Sequence, residues 1–308
     1  MRVTESMLAS MLTNDLQSVQ SQLLQTQQQL SSGHRILEPS DDPIGTENVL
    51  QWQNALAQNT QYQANAQDAA NWLDGTQSVL QQAVSLAQQV RTLAVSSTSA
   101  TLSQPQEQTI AAEIASAQSS LVDAANTKVG DHYLFSGDQT STQPFSQSGT
   151  AVTYAGGSGA IEREVAPGSS VQANTDGNAA FTPVFQSIQA ILYDLGPSGN
   201  PANISANTTL SGTNPYNPGP SGDLAQLDAA VNNLTAAEGQ VGSQLQQAQN
   251  AQSQLTDLGI SLQQLQAGVL DDNLANSVVQ LQELQNNYQS ALAVGSQLMQ
   301  QSLASYIH

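Results

Sequence analysis

A four-three rhythm of apolar and small residues constrains this chain more than any other feature. Near the N-terminus Ala9, Leu12, Leu16, Val19, Leu23, Thr26 and Leu30 follow one another in steps of three and four. That spacing puts them on one stripe of an α-helix, the pattern of a coiled-coil or bundle seam. The C-terminus repeats it with Leu274, Ser277, Leu281, Leu284, Tyr288, Ala291, Gly295 and Leu298, and Val278, Leu292, Met299 and Tyr306 form a second stripe beside it. A helix with two stripes is expected to have more than one neighbour.

The interior carries the same rhythm. Leu73, Thr76, Leu80, Ala83, Ala87, Val90 and Ala94 mark one long helix, and Ile110, Ile114, Ala117, Leu121 and Ala124 a shorter one. A third runs from Leu227 through Leu234, Val241, Ala248 and Leu255 to Leu262. Such spans exceed the roughly 8–20 residues of ordinary globular helices and predict a coiled-coil-like bundle. The seams are rich in Ala, Gly, Ser and Gln. Small seam residues let helices approach closely, but each isolated pair is weak, so neighbouring elements must supply much of the stability.

Breaks in the rhythm are punctuated. Gly33 and Pro39 bracket a non-helical connector, and Ser40-Asp41-Asp42-Pro43 sets capping side chains before a proline suited to a first helical turn. Gln104-Pro105 restarts a helix after a Ser/Thr-rich stretch, Ser221-Gly222-Asp223 opens another, and Gly268 with Asp271-Asp272 predicts a bend or restart. Between about 131 and 221 the composition turns to Gly, Pro, Asn, Ser and Thr. Short β-type runs appear there at Tyr133-Leu134-Phe135, Val152-Thr153-Tyr154 and Glu164-Val165. Phe181–Leu195 matches helical spacing, and 200–220 reads as a long loop. The expected fold is therefore mainly α with a β-rich insert. Long helices from both termini form an antiparallel coiled-coil or helical bundle, and a small β domain is inserted in the middle. Three parts are expected: 1–30 with 274–308 as a terminal coiled-coil layer, 31–130 with 222–273 as the bundle, and 131–221 as a β-rich outer domain.

Charge narrows the function classes. The 308 residues include 24 acidic and 5 basic side chains, a net charge of −19, yet charged residues make up only 9% of the chain. Glutamine takes their place: 40 of the 46 glutamines lie outside the 131–222 stretch. Arg2, Arg35, Arg91, Lys128 and Arg163 are scattered and form no patch able to neutralise a phosphate backbone, so nucleic-acid binding is disfavoured. The same acidity repels anionic lipid headgroups. No apolar run approaches the ~20 residues of a membrane span, so no membrane insertion is expected. The N-terminus lacks the apolar core of a signal peptide. With no cysteine there are no disulfides, thiolate metal sites or cysteine nucleophiles.

A search for chemistry finds no phosphate-binding loop, dinucleotide fingerprint, HExxH or GxSxG. The glycines at 156–159 follow a β-type run but lead into no helix, and read as a loop. His34, His132 and His308 have no ligand-spaced partners; Asp131 beside His132 would point to the opposite face of a strand. The pairs Asp41-Asp42 and Asp271-Asp272 sit at helix starts, where capping and compensation of the helix dipole explain them. No catalytic, cofactor or metal residues are assigned. Interaction remains. From residue 284 to the end there is no Asp, Glu, Lys or Arg. A helix so poor in charge can be buried among neighbours without stranding ions. The expected assembly contacts are Leu12, Leu16, Val19, Leu23, Leu30, Leu274, Leu281, Leu284, Tyr288, Leu292 and Leu298.

Two paired motifs give these helices a family resemblance. Leu30-Ser31-Ser32-Gly33-His34-Arg35-Ile36, followed by Pro39-Ser40-Asp41-Asp42-Pro43-Ile44-Gly45, resembles the N-terminal signature of the flagellin family. Asp271-Asp272-Asn273-Leu274-Ala275 resembles its C-terminal counterpart. The run Gly130-Asp131-His132-Tyr133-Leu134-Phe135-Ser136-Gly137, with Pro144-Phe145 downstream, resembles the hook-associated branch of that family. So do the opening Met1–Met7 and Ser290–Gly295. The resemblance implies a non-enzymatic structural adaptor between flagellar hook and filament. It implies export through the flagellar type III channel, assembly into a ring through the terminal helices, and contacts with an adjoining hook-associated protein and flagellin. It also implies docking of an export chaperone on the C-terminal helix and an extracellular place in the flagellum. The rival expectations are a filament-forming flagellin, a type III secretion tip or needle-associated protein, and a secreted enzyme with its site in the 131–221 insert.

Overall fold

Helices form where the four-three rhythm runs and stop where glycine, proline and carboxylates interrupt it. The computed structural model describes residues 5–98, 103–197, 204, 215–216 and 222–306. Among these, α1 spans Glu5–Ser32, α2 Pro43–Ser97 and α3 Gln104–Ala125. Six short strands follow: β1 Lys128–Val129, β2 His132–Tyr133, β3 Phe145–Ser148, β4 Ala151–Tyr154, β5 Glu162–Ala166 and β6 Ser169–Gln172. Then come α4 (Gly177–Asp194), α5 (Asp223–Leu270) and α6 (Leu274–Tyr306). The chain is mainly α with a small β region in the middle. Of the residues expected in the long loop at 200–220, all but 204 and 215–216 lie outside the described residues.

Caps set the helix ends. Gly33, at φ +73°, takes the left-handed conformation that closes α1, and its amide donates to Gln29 O at 2.8 Å. Asp42 opens α2 by accepting from Gly45 N at 2.9 Å. At α3 the Gln106 side chain reaches back to the Ser103 amide at 2.9 Å, and at α4 Asp176 accepts from Asn178 N. Gly268 does not end its helix. α5 continues through Leu270, and the break falls at Asp271–Asn273, where Asn273, not an aspartate, accepts from Asn276 N at 3.3 Å.

The chain divides into two compact units, 59–256 and 1–58 with 257–308. In the first of these every member of the α2 seam, Leu73, Thr76, Leu80, Ala83, Ala87, Val90 and Ala94, has no exposed surface. Facing positions on α3 (Ile114, Leu121) and α5 (Leu227, Leu234, Val241, Ala248) join the same core. Alanine at so many seam positions lets α2 sit close to its partners. An amide fixes the register of α2 and α5: buried Asn59 Nδ2 donates to Leu255 O at 2.8 Å.

The strands pair as three separate antiparallel hairpins, β1–β2, β3–β4 and β5–β6, with no continuous sheet. The β3–β4 hairpin packs on α3 and α4 over an aromatic cluster. Phe145 meets Tyr154 at 5.0 Å and Phe185 at 5.3 Å, and Phe135 meets Phe181 edge-on at 4.8 Å. Each such pair contributes about 0.5–1.5 kcal/mol beyond its buried area. The run Tyr133-Leu134-Phe135 is only partly strand. Pairing stops at Tyr133, and Leu134 and Phe135 turn inward, 1% and 0% exposed, as plugs of the core. Gly137, at φ +63°, makes that turn, and a Cβ on it would sit 2.1 Å from Gly157 O.

Candidate assembly interface

The second unit, 1–58 with 257–308, is built around the two ends of the chain, α1 and α6. They run antiparallel: Gly295 of α6 faces Leu12 of α1, while the connector after α1 bonds to the connector before α6. Along α1 the seam residues Leu12, Leu16, Val19, Leu23 and Leu30 are half-buried and Thr26 is 4% exposed. Along α6 Ser277 and Leu284 are 5% and 8% exposed, Gly295 is buried, and Leu281, Tyr288 and Ala291 are half-buried. The rhythm read from the sequence is thus the contact between the two helices of this one chain. Leu274 and Leu292 stand apart, 54% and 47% exposed. Leu298 lies on α6, but its side chain is outside the described residues.

Polar and small residues do part of the joining. Thr26 Oγ1 donates to Gln22 O at 2.9 Å, satisfying a hydroxyl that the seam buries. Gly295 leaves room for Leu12. Threonine, serine and glycine take three of the buried positions, and most seam leucines remain half-exposed.

At the α1–α2 and α5–α6 breaks the two connectors are stitched together. Arg35 N donates to Leu270 O at 2.7 Å and Asp272 N to Gly33 O at 2.9 Å, which makes His34 and Asp271 an isolated antiparallel bridge. Arg35 Nη2 reaches Asp42 Oδ2 at 3.0 Å and Val269 O at 3.1 Å. Asp41 Oδ2 accepts from the amides of Leu37 and Glu38 at 3.0 and 3.1 Å, and Gln29 Nε2 donates to Arg35 O at 2.7 Å. His34 Nδ1 lies 3.6 Å from Asp271 Oδ1. The Gly45 amide, and then the Arg35 guanidinium, hold the Asp42 carboxyl below the usual aspartate range. Gly33, His34, Arg35, Asp41, Asp42, Asp271 and Asp272, all from the N- and C-terminal motifs, take part in this joint.

Exposed apolar side chains concentrate in the same unit. Of the 16 large hydrophobic residues exposed among the described residues, 13 belong to 1–58 or 257–308. Met7, Met11 and Leu24 lie on α1, and Leu274, Val278, Val279, Leu292 and Val294 on α6. Ile44 and Leu50 begin α2, and Leu258, Ile260 and Leu265 end α5. Sequence reading found Val278 and Leu292 through the second stripe. It missed Ile44, Leu258 and Ile260, which interrupt the glutamine-rich faces singly and leave no periodic trace.

Concavities also occur in the 59–256 unit. One is a cleft of about 260 Å³, lined by Asp68, Trp72, His132, Asp138 and Arg163. There Arg163 Nε already donates to Asp68 Oδ2 at 2.9 Å, and Asp138 accepts from Gly159 N at 3.2 Å. Among the described residues no three His, Cys, Asp or Glu side chains gather as a metal site, and no helix is long and apolar enough to cross a membrane.

Comparison with known proteins agrees with this geometry. Residues 3–140 match the bacterial flagellin N-terminal helical region. The chain is similar to flagellar hook-associated protein 3 of Escherichia coli K12, 24% identical over 94% of this chain and 96% of that protein. Its fold is similar to the crystal structure of Xanthomonas campestris FlgL, with a TM-score of 0.57 at 18% identity over 70% of this chain and 99% of that one. It is also similar to the flagellar junction protein FlgL from Legionella pneumophila, with a TM-score of 0.56 at 16% identity over 74% of this chain and 100% of that one.

Proposed function

We propose that this chain is a member of the flagellin family and a non-enzymatic structural adaptor of the bacterial flagellum that joins hook to filament. The observation that carries the reading is the concentration of exposed apolar side chains on the unit holding both chain ends. Monomeric soluble proteins rarely leave large contiguous apolar patches open, and such patches mark interaction surfaces. Hook-associated protein 3, to which the chain is similar along nearly its whole length, is a flagellar component by name.

In this reading the subunits leave the cell through the flagellar type III system and assemble outside it as a ring. Residues 1–30 and 274–308 contact neighbouring subunits, 31–130 with 222–273 form the body, and 131–221 the outer surface. The seam leucines, Leu281 among them, hold α1 to α6 and thereby fix the outward stripe for an adjoining hook-associated protein and flagellin. Before export, the weakly charged C-terminal helix docks on an export chaperone. No cofactor takes part.

The test is a strain lacking the gene, viewed by electron microscopy with flagellin assayed in the medium. Hooks without filaments and flagellin leaking into the medium are expected. Intact hooks with no leaked flagellin would make the chain a filament subunit instead, and normal filaments would overturn the junction role. Complementation with Leu281→Asp should fail to restore filaments while the hairpin-bearing 59–256 unit stays folded.

A further inference from the structure

The two breaks that separate α1 and α6 from the rest of the chain are far apart in sequence, yet they bond to each other, Arg35 reaching Val269 across 234 residues. Arg35 is the residue common to most of these bonds. Its amide takes Leu270 O, its carbonyl accepts from Gln29, and its guanidinium spans Asp42 and Val269 O. It therefore touches the end of α1, the cap of α2 and the end of α5. Asp272 N, bonded to Gly33 O, completes the crossing, and the Ser277 hydroxyl on α6 is held by the Asp272 carboxylate.

We propose that these connectors form a clamp keyed by Arg35, through which the two ends of the chain become ordered together. The α1–α6 seam alone is weak, because Thr26, Ser277, Leu284 and Gly295 are its buried positions and its other leucines are only half-buried. Closing a contact between segments so distant in sequence costs loop entropy, and helices in proteins draw most of their stability from packing. The clamp meets that cost once, at the root of the pair, and holds both helices in register. Order is then shared: loosening the root frees α1 and α6 alike, and a partner that grips either helix stabilises both. Arg35 is a positioning residue here, acting through the connectors rather than through the seam. The proposal stands apart from the junction role, since it concerns contacts within one chain.

The bridge supplies a test. His34 and Asp271 face each other between the Gly33–Asp272 and Leu270–Arg35 bonds, a non-hydrogen-bonded antiparallel pair, whose Cα atoms lie about 4.5 Å apart in regular ladders. That is within the range of a disulfide, and the chain has no cysteine of its own to interfere. Amide hydrogen exchange is to be followed in the full-length wild type, in Arg35→Ala, and in Arg35→Ala carrying an oxidised His34→Cys/Asp271→Cys pair. Exchange in α1 and α6 should rise together, about tenfold, in Arg35→Ala, while α3 amides near Ile114 stay unchanged. The cystine should restore protection in both helices. Equal exchange in all three proteins, loss confined to one helix, or loss the cystine does not reverse would each overturn the clamp.

Discussion

Gly295 of α6 lies so close to Leu12 of α1 that a Cβ on the glycine would come within 2.8 Å of Leu12 Cδ2. The contact is with the far end of a flexible side chain, so one methyl can be accommodated by a rotamer change. Alanine also gains about 0.8–1 kcal/mol of helix propensity over glycine. Gly295→Ala is expected to shift stability by less than about 1 kcal/mol, the two effects opposing one another. Gly295→Leu should separate the helices, seen as loss of ellipticity at 222 nm, and Leu12→Ala in the same chain should recover part of it. Equal ellipticity for Gly295→Leu and wild type would refute this packing.

Inward and outward positions on α6 should fail differently. Leu284 is 8% exposed and Leu292 47%. Leu284→Asp sets a carboxylate into the seam without a partner and should unpair α1 from α6 in the isolated subunit. Leu292→Asp should leave the subunit's circular dichroism and melting unchanged yet block its incorporation into flagella. If Leu292→Asp complements a deletion strain as well as wild type, the exposed stripe is not an assembly surface.

The helices were legible in the sequence because burial on one face imposes a period that leaves a trace at every turn. The α2 positions Leu73 to Ala94 show this, each fully buried where the rhythm placed it. The hairpins were less so. Phe145–Ser148 and Ser169–Gln172 are mostly polar and carry no β-type pattern, although each pairs with a strand only a tight turn away, and part of the anchoring comes from outside the hairpin. Asn126 supplies part of it, accepting from Phe145 N at 3.0 Å and donating to Phe145 O at 2.9 Å, as a strand would. The proposed assembly residues stand out in the sequence only as a stripe. Periodicity marks a face that packs, but it does not say whether the partner is the chain's other end or another subunit.

Phe145 is 1% exposed and touches Tyr154, Phe181 and Phe185. Phe145→Ala removes the ring that ties the β3–β4 hairpin to α4, and should cost about 3–5 kcal/mol in chemical denaturation. Near-ultraviolet dichroism should fall with it, because the remaining rings lose a fixed neighbour. A midpoint within error of wild type would mean that the hairpin does not anchor through this ring.

Tyr154 reports the same region by titration. Its hydroxyl lies 2.6 Å from Gly157 O and 3.1 Å from Phe135 O. Burial, followed by the charges of Asp176 and Asp138, pushes it up to about 12. A tyrosine whose folded value exceeds its unfolded value of about 10 stabilises the fold fully below that pH, and loses the contribution as pH climbs toward its folded value. Absorbance at 295 nm should therefore show a late-ionising tyrosine that is missing in Tyr154→Phe. The loss of stability between about pH 10 and pH 12 should be shallower in that variant.

Acid should open the connector joint through Asp42. The Gly45 amide and the Arg35 guanidinium both favour its ionised form, so its folded value lies below its unfolded one. The stabilisation is then complete above the ordinary aspartate value and drains away as pH falls through the depressed one. Asp42→Asn keeps an oxygen for the Gly45 amide but removes the charge opposite Arg35. In wild type, exchange of the Arg35 and Asp272 amides, corrected for intrinsic rates, should accelerate as pH is lowered from about 6 to about 2. In Asp42→Asn it should be faster at pH 6 and rise less on acidification. Parallel profiles in the two proteins would show that the carboxylate does not hold the joint.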